Sequence, residues 1–468
     1  MSRSRGIEAK VQQKEVLQTR RNGWNENIKN KNEDHSICPK DDAEMQQIKD
    51  LLQKLPKLDK IFSVHRKIGE GTFSSVYLGS LRQHARLPPD QRRWFAIKHL
   101  VPTAHPARVE HELRCLQDMG GKNNVIGVDL CLRHLDTIVF VMPYIPHRKF
   151  SEYVGEMDAA ELARYMRALL TALRHVHSFG VIHRDVKPSN FLYDRENKRY
   201  LLVDFGLAQR VVAAPAPPPA HSNTLKRPRE EDESTQEPKR IALDLRTGPR
   251  SVNVALPRPP APGCACAGAG GVCAACAARP PPRAPRAGTQ GFRPPEVLLK
   301  VSAQTTAVDV WAAGVVLASV LCARYPFFRA ADDVAALAEL QDLLGTQPLQ
   351  RTAAALGRRL VTSVCRPGVC LRKLCARLRG AAPPPAAPAP PPAAPAAPPG
   401  RACARCRLPP EHCLCRDHTV PATRIAEGVT VAGFPDAAFA LAAHLLEPDP
   451  RLRPTAAQAL EHPFLREV

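Results

Sequence analysis

The sequence predicts an α+β chain of two lobes, a small antiparallel sheet followed by a larger helical part, interrupted by two long inserts. Short runs rich in Val, Ile and Phe lie between Ile61 and Pro146: IFSVHRKIG, SSVYLGSL, WFAIKHL and TIVFVMPYI. Gly, Pro and charged turns separate them, as in a sheet of antiparallel strands. Apolar residues then recur at three- and four-residue spacing in AAELARYMRALLTALRHVHSF, which predicts a helix from Asp158 to Phe179. Composition breaks twice, over 211–284 and 381–424, and globular patterning resumes after each break.

In chain order, residues 1–60 read as a charged extension with one amphipathic stretch, MQQIKDLLQKLPKL, ending near Pro56. Residues 61–146 form the sheet lobe and 147–468 the helical lobe. The run from Val310 to Ala323 is too short to cross a bilayer and reads as a buried helix. The amino terminus is polar and charged, without the apolar core of a signal peptide. A soluble, non-secreted protein with no membrane contact is expected. The 47 prolines and 5% aromatic residues suggest that part of the chain joins no core. A formal net charge of +21 calls for acidic partners: nucleic acid, acidic protein segments or phosphorylated sites. The 15 cysteines fit metal ligands or free thiols better than disulfides.

The chemistry-bearing residues come in order. Ile68, Gly69, Gly71, Ser74 and Val76 lie in IGEGTFSSV between two predicted strands. Small residues at 69 and 71 let a hairpin close over a triphosphate, its backbone N–H groups meeting phosphate oxygens. Alone, this segment reads equally well as a plain β-turn. Ala96 and Lys98 follow on an apolar strand; beside such a loop the lysine becomes a candidate phosphate clamp. Its acidic partner belongs on the next helix. Glu112 is preferred over Glu110 because it adjoins Leu113 and Leu116. HRDVKPSN is far more specific. Asp185 is placed to accept or orient a substrate hydroxyl proton, Lys187 to neutralise a transferring phosphoryl group, and Asn190 to offer an amide oxygen to Mg²⁺. Asp204, in DFG after the apolar run YLLV, is a hard carboxylate suited to Mg²⁺.

Together these segments are the signatures of the protein kinases, and the chain resembles that family over about 61–210, 287–380 and 425–465. The resemblance implies a bilobal kinase fold with ATP and Mg²⁺ as cofactors. Lys187-Pro188 resembles the serine/threonine branch. Arg293-Pro-Pro-Glu296 stands where the family has Ala-Pro-Glu, with Pro294 replacing the alanine. The family pattern then pairs Glu296 with Arg453 and ties the catalytic loop to a buried helix through Asp309. Met142 falls at the gatekeeper position, before the hinge residues Pro143, Tyr144 and Ile145.

KIGEGTFSSVYL, AIKHLVPTAHPAR, HRDVKPSNFLY, VDFGLAQ, APRAGTQGFRPPEVL and LRKLCARLRG resemble more narrowly the cell division cycle 7-related kinases, catalytic subunits of DDK. A hallmark of that group is a core broken by long inserts. Here Asp204 and Glu296 are 92 residues apart. The resemblance implies a regulatory activator subunit of the Dbf-four/ASK type, and substrates in the acidic tails of the minichromosome maintenance helicase, modified to start DNA replication. It implies no sequence-specific nucleic-acid binding.

The inserts carry chemistry of their own. Cys264, Cys266, Cys273 and Cys276 supply four thiols at spacing suited to a closed, structural Zn²⁺ site, a spacing shared with the resembled kinases. The alternative is unpaired cysteines in a drifting linker. Cys403, Cys406, Cys413 and Cys415, with His412 nearby, nearly mirror the first group and form a second candidate zinc site. Arg286 and Arg293 flank Thr289, where two guanidinium groups could grip a carboxylate or phosphate after the phosphoacceptor. Arg293 could equally be structural. Basic clusters around Lys226 and Arg240 resemble a bipartite nuclear import signal, placing the protein in the nucleus, or else a solvated charge run. Two rival readings stand beside the main one. One is an acidophilic kinase needing no partner; the other is a basic, zinc-containing nucleic-acid scaffold with a decayed core.

Overall fold

The computed structural model describes residues 38–39, 41–71, 73–101, 105–211, 273–274, 288–380, 403–408, 412–416 and 430–466. The chain opens with helices α1 (Asp42–Lys54) and α2 (Pro56–Ile61). Asp41 caps α1, accepting a 2.7 Å hydrogen bond from the Glu44 backbone N–H. Pro56 closes α1 and opens α2, since its fixed φ suits a first helical position and its missing N–H interrupts the preceding ladder.

Five strands follow: β1 (Phe62–Gly71), β2 (Ser74–Leu81), β3 (Trp94–Leu100), β4 (Leu130–His134) and β5 (Thr137–Pro143), with α3 (Pro106–Asp118) between β3 and β4. They form one antiparallel sheet in the order β1-β2-β3-β5-β4. Its two faces are covered differently, because side chains alternate along a strand. Tyr77, Phe95, Ile97, Val139 and Val141 pack against Ile48, Leu51, Leu55 and Leu58 of the two leading helices. Leu100, Phe140 and Met142 join Cys115 and Leu116 of α3 on the other side.

The helical pair at 42–61 is therefore part of the sheet lobe, which corrects the boundary at residue 60. Ile48, Leu51, Leu55 and Leu58 recur at helical spacing, and their apolar stripe is the lid of the sheet.

In the helical lobe, α4 (Phe150–Tyr153) leads to α5 (Ala159–Ser178), capped by Asp158 at one end and by Phe179 at the other, the bounds expected from the periodicity. Two small two-stranded sheets come next. β6 (Val181–Ile182) pairs with β9 (Gln209–Arg210), and β7 (Phe191–Asp194) with β8 (Arg199–Leu202). The loop holding Asp185 runs from β6 to β7, and Asp204 follows β8 directly. Beyond the first insert stand α6 (Pro295–Leu298), α7 (Ala307–Leu321), α8 (Asp333–Leu344), α9 (Thr346–Ala355) and α10 (Leu371–Leu378). A two-stranded turn, β10 (Thr430–Val431) and β11 (Phe434–Pro435), precedes α11 (Asp436–Leu445), α12 (Ala456–Leu460) and α13 (Pro463–Arg466). Every residue of α7 is buried, so it is the central post of this lobe, with Leu169 and Leu173 of α5 and Leu441 and Leu445 of α11 in the same core. Among the described residues no helix is long and apolar enough to cross a membrane.

Leu55 is fully buried between the leading helices and the sheet. Leu55→Ala should lower stability by about 2–5 kcal/mol through lost burial and a residual cavity. Chemical denaturation of the variant beside the parent chain measures this.

Candidate active site

The sheet register builds one wall of the site. Val76 on β2 and Phe140 on β5 stand opposite Lys98, while Met142 stands opposite Ala96. Directly paired residues share a face, so Val76, Ala96, Lys98 and Met142 all look toward α3 and the helical lobe. Gly69, Glu70 and Gly71 pair with Val76, Ser75 and Ser74, which makes 69–76 a hairpin. The register slips at Ile68, an irregularity that raises local twist where the hairpin begins.

Lys98 is buried, with its ammonium 2.6 Å from Glu112 Oε1 and 2.8 Å from Asp204 Oδ1. Glu110 lies on the outer face of α3 and pairs instead with Arg114. Glu112 shares its helix face with buried Cys115 and Leu116, three and four residues on, which turns it inward and leaves Glu110 in solvent. Burial alone would depress the Lys98 ammonium. The carboxylates of Glu112 and Asp204 outweigh that, and its pKa is raised above the ordinary lysine value. Burial pushes the Asp204 carboxyl up, but Lys98 more than offsets this and holds it below the usual range. The pair of charges is thus maintained at neutral pH.

Asp185 lies at the other wall. Asn190 Nδ2 donates to its backbone oxygen and to Oδ2, both at 2.9 Å. Lys187 Nζ is 2.9 Å from Oδ2, and the Thr289 hydroxyl donates to Oδ1 at 2.6 Å. Lys187 also donates to Thr289 Oγ1 at 2.8 Å, closing a triangle across 102 residues of sequence. Gly288 makes the approach possible: its φ is +93°, and a Cβ there would sit 2.6 Å from the Arg184 carbonyl oxygen. Thr289 is the contact that sequence reasoning missed. In the sequence it stands between Arg286 and Arg293, and nothing in local pattern ties it to a residue so far away.

The loop is held from below by Asp309, whose carboxylate is fully buried at the start of α7. It accepts from the His183 and Arg184 backbone N–H groups at 2.8 Å each, and lies 2.9 Å from His177 Nε2. Arg184 has φ of +70° and Asp204 +67°, left-handed conformations that cost a non-glycine residue of order 1–3 kcal/mol. The Asp309 bonds hold the first; Lys98 and a 3.3 Å bond from the Gly206 N–H hold the second. The Arg184 guanidinium is met by two neutral amides, Gln209 Oε1 at 2.8 Å and Gln304 Oε1 at 2.9 Å. Glu296 and Arg453 form a bidentate pair at 2.8 and 3.1 Å, buried beside Trp311.

The donor set suits a nucleotide and a divalent cation. Asp204 offers a charged carboxylate, and Asn190, whose amide nitrogen is spent on Asp185, keeps its carbonyl oxygen for a cation. At the hinge, Pro143 has a carbonyl and no N–H, and Tyr144 N–H donates to Trp94 O at 3.3 Å. Arg293 is engaged internally: Nε and Nη2 donate to Gly288 O at 3.0 and 2.7 Å, and Nη1 is 3.0 Å from Asp333. Lys300 shares that carboxylate, so two cations meet one anion there. Arg286, Cys264, Cys266 and Cys276 lie outside the described residues, as do the basic clusters at 226–240.

The protein kinase domain family matches this sequence over 62–224 and 271–465, the stretches that carry both walls of the site. The non-specific serine/threonine protein kinase Cdc7 of Drosophila melanogaster is 36% identical over 89% of this chain and 76% of its own length. The human cell division cycle 7-related protein kinase is 32% identical over 90% of this chain and 92% of its own. The chain belongs to the Cdc7-related protein kinases. A relative from Schizosaccharomyces pombe, the cell cycle serine/threonine-protein kinase hsk1, is 31% identical over 68% of this chain and 62% of its own. The protein is thus a serine/threonine kinase with an α+β kinase fold, and its family implies ATP with Mg²⁺ as phosphoryl donor. Bound there, the metal would neutralise charge developing on the phosphates.

Asp309→Asn keeps the size of the side chain but turns one acceptor into a donor facing main-chain N–H groups. It should cost about 2–4 kcal/mol of stability and lower kcat more than it raises KM for ATP. Denaturation curves with steady-state kinetics check both.

Proposed function

We propose that this kinase acts in the cell cycle, phosphorylating Ser or Thr in acidic contexts on the minichromosome maintenance helicase to start DNA replication. In this reading it works in the nucleus, switched on by a regulatory subunit of the Dbf-four/ASK type. The relatives named for the cell division cycle support the setting. The observation that carries the catalytic part is the buried contact of Lys98 with Glu112 and Asp204, joined through Asp204 to the wall that holds Asp185.

The roles follow from chemistry. Lys98, held charged by two carboxylates, grips the phosphates under the 69–76 hairpin. Asp204 and the Asn190 side-chain carbonyl oxygen would hold the metal, which would offset phosphate charge when bound. Asp185, oriented by Asn190 and Thr289, accepts a hydrogen bond from the substrate hydroxyl and aims its oxygen at the γ-phosphorus. Lys187 stands beside Asp185 and offsets negative charge as the phosphoryl group moves. A scaffold with a decayed core would have no reason to keep an ammonium buried between two carboxylates, because that arrangement costs desolvation without returning binding.

Acid preference after the phosphoacceptor would rest on the cations of Arg293 and Lys300, which lie together beside Asp333. Radiolabelled ATP with an acidic helicase-tail peptide should show phosphorylation that rises when the activator subunit is added. Asp185→Asn should lower the rate by about 10²–10⁴-fold; a variant as active as the parent would overturn the catalytic assignment. On a peptide library, the parent should favour Asp, Glu or phosphoserine after the acceptor. Arg293→Ala should flatten that preference, and an unchanged profile would remove Arg293 from recognition.

A further inference from the structure

Cys403, Cys406, Cys413 and Cys415 bring four Sγ atoms within 4.8 Å of one another, and all four thiols are free of disulfides. A tetrahedral Zn²⁺ with Zn–S bonds of about 2.3 Å needs sulfurs about 3.8 Å apart, so the four stand close to a ligand shell. The surrounding backbone is shaped for thiolate. The N–H groups of Arg405 and Cys406 point at Cys403 Sγ, and that of Cys415 at Cys413 Sγ. The turn after Cys403 is closed by Arg407 N–H to Cys403 O at 2.8 Å, with Arg407 at φ +59°. Four thiolates on a divalent ion carry a net charge of about −2, and the neighbourhood is basic: Lys373 donates to Cys415 O at 3.4 Å, Arg405 to Arg416 O at 3.0 Å. His412 is exposed, with Nδ1 3.4 Å from Arg377, which leaves the thiols as the ligand set.

The group is also fastened to the helical lobe. Cys415 bridges Val369 in antiparallel fashion, the Cys370 N–H donates to Leu414 O at 2.8 Å, and the Arg416 N–H to Gly368 O at 3.1 Å. Residues 368–370 lead straight into α10. That helix is in turn anchored to the central post: Cys375 Sγ and Arg379 Nε each reach Leu321 O at 2.7 Å.

We propose that Cys403, Cys406, Cys413 and Cys415 bind one structural Zn²⁺, forming a clasp that pins the far end of the second insert to the segment 368–370 leading into α10. The ion supplies the cross-links that 403–416, a stretch with few apolar side chains, cannot draw from a core. This site is separate from the first cysteine group, and it stands or falls independently of which substrate the kinase modifies.

Zinc per chain should be counted by elemental analysis on the purified full-length protein and on Cys413→Ser/Cys415→Ser. A loss of one equivalent is expected whatever residues 264–276 bind; an unchanged count overturns the proposal. The parent chain gives a second readout that does not depend on the folding of the variant. Half-buried Cys403 and Cys406 should react with N-ethylmaleimide at least about tenfold more slowly before a chelator is added than after, while exposed Cys365 reacts equally in both. Equal rates with and without chelator, or recovery of the four as disulfides without zinc, would overturn it. Cobalt replacement should give a tetrathiolate charge-transfer spectrum, and its absence counts against the site. Amide exchange over 369–378 should quicken when the metal is stripped, and unchanged exchange would refute the clasp.

Discussion

A single buried ammonium between two carboxylates organises the kinase core. Lys98 comes from β3, Glu112 from α3 and Asp204 from the segment after β8, so one ion triplet joins three separate pieces of chain. A lysine that has lost its water must find anions, and removing Lys98 would leave the Glu112 and Asp204 carboxylates facing one another without their shared cation. The covering of the sheet sharpens this. Leu51, Leu55 and Leu58 cover its far face with hydrocarbon, and Lys98, on the opposite face of β3, finds its anions toward α3. The position of α3, and with it the depth of the cleft, is set by where that charge can be neutralised.

The helical lobe applies the same rule to the backbone. Asp309 holds two main-chain N–H groups of the loop that carries Asp185, which allows Arg184 to keep a left-handed conformation that an unsupported loop would relax. Glu296 and Arg453 do the corresponding work for α6 and the connection before α12. Thr289 then reaches Asp185 across the gap left by the first insert. Three polar contacts between residues over a hundred positions apart thus fix one carboxylate to within hydrogen-bond tolerance, the precision that positioning catalysis needs. The Arg184 guanidinium itself meets the neutral amides of Gln209 and Gln304.

The inserts show the limit of apolar packing. The second cysteine group has almost no hydrocarbon to bury, and what orders it is a ring of thiols, a tight turn and an edge-on bridge to residue 369. Around it the backbone donates to sulfur, and basic side chains crowd the outside. Such a unit draws its stability from coordination and charge, whereas α7 a short distance away is buried along its whole length and needs neither.

Much was legible in the chain itself. Periodicity marked α5 to within a residue, because a stripe of apolar side chains repeats whenever a helix lies on a core. The order of the glycine hairpin, Lys98, Asp185, Asn190 and Asp204 carries the kinase signature, which is legible because each motif is local in sequence. Local pattern also favoured Glu112 over Glu110, as one side of a helix faces inward. Other features had no local signal. The leading helices looked like an extension because their stripe does not say which surface it covers. Thr289 on Asp185, the shared carboxylate of Asp333, and the amides on Arg184 join residues whose separation along the chain carries no information about distance in space. Composition and spacing determine which groups a segment can offer; only packing in three dimensions decides which of them meet, because hydrogen bonds and ion pairs act over a few ångströms and are blind to sequence.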